Sequence, residues 1–82
     1  MSMEMTNCEM RKNFGNNIYR ERVRHNLTIE ALAESLDVST QAIHKWQKGD
    51  SYPEPPKMLK LSQMFDTTIE QLLTGNACER YR

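Results

Sequence analysis

Between positions 40 and 52 the chain carries a run of side chains suited to hydrogen bonding with flat or anionic partners: Thr40, Gln41, His44, Lys45, Lys48, Ser51 and Tyr52. A glutamine presents a donor beside an acceptor and matches the adenine edge, and a lysine donates to guanine O6 and N7. The methyl of Thr40 or Ala42 can meet a thymine methyl. Lys48, Ser51 and Tyr52, with the hydroxyls of Thr28 and Ser39 upstream, are the types that hold phosphate oxygens. The same residues would also make the solvated face of an ordinary short helix, and His44 alone reads as a solvated or phosphate-facing group before it reads as a pH switch. Residue types do not separate these two roles; the elements that carry them must.

Those elements lie in the stretch LTIEALAESLDVSTQAIHKWQKG, residues 27–49. Leu27, Leu32, Ala33 and Leu36 form one helical stripe, and Val38, Ile43 and Trp46 form a second, at the spacings of three and four that mark amphipathic helices. Each helix is too short to be stable alone. Thr28 and Ser39 are credible N-caps, and Glu30 in the first turn suits the helix dipole. Gly49 is a credible stop, because glycine enters the left-handed conformation without a Cβ penalty. Only Asp37 and Val38 remain for the turn, so the helices cross steeply and share a small core: a helix-turn-helix unit. Ala33 is small where the next helix must cross closely. With Val38, Ile43 and Trp46 turned inward, Thr40, Gln41, His44, Lys45 and Lys48 point outward, which is where a helix seated in a major groove reads bases.

The flanking segments supply the remaining walls. Residues 14–25 read as a first helix, with Phe14, Ile18 and Val23 expected inward and Asn26 suited to a left-handed end. Arg20, Arg22 and Arg24 spread around it. Residues 1–13 show no defensible periodicity and read as a flexible arm, with Arg11 and Lys12 available to lie along a nucleic acid or the methionines to pack on a partner subunit. Pro53, Pro55 and Pro56 form a connector, with proline suited to the first turn of the next helix. Residues 57–65 read as a fourth helix, with apolar positions at Met58, Leu59, Leu61, Met64 and Phe65. Thr68 and Gln71 read as a capping box for a short fifth helix closed by Gly75. Residues 75–82 read as a polar tail, leaving residues 14–74 as the domain.

Composition narrows the function classes. Eighty-two residues make one small domain, and eleven basic residues balance eleven acids, so no global positive field points to nucleic acid. The local distribution is uneven: residues 38–49 hold His44, Lys45 and Lys48 and no acid, and a DNA-binding protein needs a basic face rather than a basic total. Cys8 and Cys78 sit in the two tails without metal-ligand partners, which fits a reducing cytosol. No apolar run approaches the ~20 residues of a membrane span, and no secretory leader is apparent. No catalytic constellation, cofactor motif or metal cluster appears, so an enzyme is not expected.

The stretch resembles the lambda-repressor-like helix-turn-helix domains of the Cro/CI or XRE type. Their pattern is roughly L-T-Q-E-E-L-A, L-G-V-S, I-S-K-W-E-N-G and P. Here it reads Leu27-Thr28-Ile29-Glu30-Ala31-Leu32-Ala33, Leu36-Asp37-Val38-Ser39, Ile43-His44-Lys45-Trp46-Gln47-Lys48-Gly49 and Tyr52-Pro53. The resemblance spans residues 14–73. It implies an all-α, compact five-helix domain with the helix-turn-helix at helices 2 and 3. It further implies a cytoplasmic, repressor-like transcriptional regulator of bacterial, phage or mobile-element origin, binding double-stranded DNA as a homodimer with no cofactor. Three of the departures from the pattern bear on the fold or on binding. Ile29 replaces a glutamine that helps bind phosphate in relatives. Asp37 replaces the turn glycine. Gln47 replaces the glutamate that pairs with the arginine matching Arg22, which leaves a hydrogen bond with one charged partner in place of a salt bridge. In relatives the last helix often takes part in dimerisation. The alternative expectation is an antitoxin-like or otherwise partner-controlled interaction module, coupled to a regulatory protein, with weak or lost DNA binding.

Overall fold

The computed structural model describes residues 7–74, which form five helices: α1 (Asn7–Arg24), α2 (Ile29–Leu36), α3 (Thr40–Lys48), α4 (Pro55–Met64) and α5 (Ile69–Thr74). The described residues contain no strand, as expected for an all-α domain. α1 packs mainly on α3 and α5, and α2 packs on α3 and α4. Phe14, Ile18, Leu32, Leu36, Ile43, Leu61 and Leu72 are fully buried at the centre.

α1 departs from expectation at its start and in the facing of Val23. It begins at Asn7, seven residues before Phe14, so Arg11 and Lys12 lie on a helix and not on an arm. The added turns carry no apolar period; distant contacts hold them. Arg11 Nε donates to the carbonyl of Gly49 at 3.0 Å, and Met10 lines a groove with Tyr52, Pro53, Met58 and Leu73. Tertiary contacts of this kind decide whether a short helical stretch forms. Val23, expected inward, is 49% exposed. It lies nine residues from Phe14, about two and a half turns at ~3.6 residues per turn, and so on the opposite face. Asn26 ends the helix region at φ 58°, as its type suggests.

The helix-turn-helix follows the expected local chemistry. Thr28 Oγ1 accepts the Ala31 N–H at 3.0 Å and Ser39 Oγ accepts the Ala42 N–H at 3.2 Å. Asp37 occupies the left-handed region at φ 58°, and its N–H donates to the carbonyls of Ala33 and Glu34. Gly49 does the same for α3 at φ 81°, donating to Lys45 and Trp46. Ala33, Ile43 and Trp46 are buried, and Val38 packs half-buried against them.

α4 starts at its two prolines, two residues earlier than expected, where a missing N–H leaves no helix bond unmade. Met58, Leu61 and Ser62 face inward, whereas Leu59 is half exposed. The Thr68–Gln71 box is half formed. Thr68 Oγ1 accepts the Gln71 N–H, but the Gln71 side chain turns to accept the Thr67 hydroxyl at 2.7 Å. Asn17, buried at 6% exposure, ties α5 down by donating from Nδ2 to the carbonyls of Gln71 and Leu72. Gly75 and the proposed tail lie outside the described residues, as does the start of the proposed arm.

Candidate nucleic-acid interface

α3 presents the candidate surface, and three other elements fix its pose. The first is the Asp37 turn. The second is the crossing with α1: a Cβ on Gly15 would stand 2.5 Å from the carbonyl oxygens of Trp46 and Gln47, closer than real Cβ contacts come. Only glycine lets these two backbones approach so closely. The third is Arg22. Its Nε donates to Gln47 Oε1 at 3.0 Å and its NH1 donates to the Leu27 carbonyl at 2.9 Å, joining α1, the α1–α2 turn and α3. The expected hydrogen bond with one charged partner is therefore formed. The guanidinium also lies 5.3 Å from the centre of the Tyr19 ring, a favourable cation–π placement.

With α3 held this way, Gln41, His44 and Lys45 are exposed and Thr40 is half-buried. Gln41, His44 and Lys45 thus share the side of α3 away from Ile43 and Trp46, and Thr40 lies at its edge. Thr28 and Ser39 are exposed at the N-termini of α2 and α3. Their hydroxyl oxygens already accept helix amides, which leaves each O–H free to donate outward. Lys48 stands 3.8 Å from Asp50, and both side chains are more than half exposed. Such a pair is worth little and yields readily to a stronger anion. Ser51 is half-buried in the following loop. The Tyr52 ring stands edge-on to Phe14 at 5.8 Å and lines the Met10 groove, so its ring is a packing group first.

Ile29, the departure at the phosphate-anchor position, is half-buried and packs against the core. The substitution trades a polar tip for apolar contact. Gly15 and Asn17 are positioning residues that sequence reasoning passed over, and Arg11, read there as part of an arm along a nucleic acid, is a third. The one available signal was a glycine inside a helical pattern, which often marks a close backbone approach. Among the described residues no cluster of His, Cys, Asp and Glu is placed to hold a metal ion. No described helix is long and apolar enough to cross a membrane.

Comparison with known proteins agrees with this geometry. A profile described as helix-turn-helix matches residues 18–72. The chain is 42% identical over 62 residues, 76% of its length, to a protein of Enterococcus faecalis named HTH-type transcriptional activator BcrR. It spans 30% of that relative's length. From the profile match over α2, the Asp37 turn and α3, the chain belongs to the helix-turn-helix family, of the lambda-repressor-like type.

Proposed function

We propose that this domain binds double-stranded DNA in the major groove and regulates transcription. The observation that carries the reading is the outward row of Gln41, His44 and Lys45 on a helix whose other face is locked by Ile43, Trp46 and Arg22. Gln41 and Lys45 read base edges, with Thr40 and His44 beside them. Thr28, Ser39 and Lys48 hold phosphates, with Ser51 and Tyr52 as loop contributors. The amides at the N-terminus of α2 replace part of what Ile29 cannot supply. One such helix covers a few base pairs, so a homodimer on half-sites one helical turn (~34 Å) apart supplies the remaining affinity. The domain works in the cytoplasm, without catalysis or cofactor. Regulation in either direction is compatible with this surface, because operator position sets the sign. The relative's name records activation for that protein.

A second reading is favoured by Ile29 turning to the core and by Asp50 lying beside Lys48: an interaction module, controlled by a protein partner, that has lost DNA binding. Binding to random duplex at two salt concentrations separates the two readings. Phosphate neutralisation makes log affinity fall against log salt with a slope of about −0.9 per contact. A steep slope supports the first reading, and no binding at low salt supports the second.

A further inference from the structure

Resting on the DNA-binding reading, we propose that the first turns of α1 form a separate phosphate-holding element, with Lys12 as its anion contact. Residues 7–13 precede Phe14, the first core residue, and precede the matched residues 18–72. Their placement is nevertheless specific. Arg11 Nε donates to the Gly49 carbonyl at 3.0 Å, fastening this turn of α1 to the C-terminal cap of α3. Lys12 runs directly alongside that cap: a Cβ on Gly49 would lie 3.3 Å from Lys12 Cγ and 3.4 Å from its Cα and N.

Lys12 is exposed and forms no ion pair among the described residues. Lys48 is the residue before Gly49, so two lysines flank the point where the chain leaves α3. The acids nearest in sequence are Asp50, beside Lys48, and the exposed Glu9, one turn before Lys12 on α1. When a helix sits in the major groove, the chain leaving its C-terminus passes a phosphate strand at the groove edge. Lys48 meets that strand from α3, and Lys12 meets it from α1. This arrangement gives a chain of zero net charge a local cationic edge beside the base-reading face.

The competing role for Lys12 is purely structural, a cation stabilising the negative end of the α3 dipole. The two roles differ in what a neutral substitution changes. The test uses the full 82-residue chain, a random-sequence duplex and fluorescence anisotropy across a potassium chloride series. Lys12→Gln is compared with Lys60→Gln, a change at an exposed lysine of α4. Lys12→Gln is expected to reduce the log–log slope by about 0.9 and to weaken binding on the order of five- to tenfold near 0.1 M salt. Its melting temperature should stay at the wild-type value, and Lys60→Gln should change neither quantity. A wild-type slope in Lys12→Gln, with or without a lower melting temperature, overturns the inference and leaves the DNA-binding reading standing. Absence of salt-dependent binding by the wild type overturns that reading, and this inference with it.

Discussion

Arg22 Nε lies 3.0 Å from Gln47 Oε1, across 25 residues of sequence, and its other bond runs to the Leu27 carbonyl. One guanidinium thereby holds α3 against the helix-helix corner that aims it. A bond with one charged partner is stronger than a neutral one and leaves no second buried charge to desolvate. Arg22→Met should lower stability by roughly 1–3 kcal/mol, since it leaves two acceptors unpaired. Gln47→Leu should cost less, because the bond to Leu27 survives. Urea unfolding of both variants checks the order.

Gly15 should be irreplaceable even by alanine. In most exposed helix interiors Gly→Ala is stabilising, but here the methyl would meet two carbonyl oxygens at 2.5 Å. Separating α1 from α3 should cost about 1–3 kcal/mol, as overpacking generally does. It should also tilt α3 and weaken DNA binding. A thermal melt with the sign reversed, Gly15→Ala more stable than wild type, would show that the crossing is looser than described.

Asp37→Gly should stabilise the domain. Asp37 holds φ at 58° in the turn between α2 and α3, a conformation that disfavours a residue with a Cβ by roughly 1–2 kcal/mol. Glycine removes that strain but loses more entropy on folding, about 0.5–1 kcal/mol. The expected net gain is about 0.5–1 kcal/mol, read as a higher urea midpoint with an unchanged slope.

Asn17 makes a fourth test. Its Nδ2 donates to the carbonyls of Gln71 and Leu72, tying α1 to the short α5, and its Oδ1 accepts from Arg20 NH1 at 3.0 Å. Asn17→Ala should cost about 1–3 kcal/mol through the unsatisfied carbonyls. Hydrogen exchange should rise first in α5, which has the fewest residues of any helix described.

What could be read from the chain alone follows the range of the interactions. Thr28, Asp37, Ser39 and Gly49 act on backbone groups three or four residues away, so their types announce their roles. The outward facing of Gln41, His44 and Lys45 was legible because Ile43 and Trp46 mark the inner side of so short a helix. Val23 was misplaced by reading an apolar type without counting turns. The early start of α1, the Gly15 crossing and the Asn17 clamp depend on partners 31 residues or more along the chain, such as Gly49 for Arg11 at a separation of 38. No local pattern encodes those pairings. Tyr52 was ambiguous because a loop has no period to orient it, and its ring turned to Phe14.

The central claim is that one face of α3 folds the domain and the other reads DNA. Duplexes selected by the wild type from a random pool give the operator, and binding to it is then measured beside thermal melting. Gln41→Ala and Lys45→Ala should each lose about 1–3 kcal/mol of binding to the selected duplex at an unchanged melting temperature. Trp46→Ala, which empties a buried site, should lose about 3–5 kcal/mol of stability. Selected-duplex affinity untouched by Gln41→Ala and Lys45→Ala, or a melting temperature that falls with either, would contradict the account.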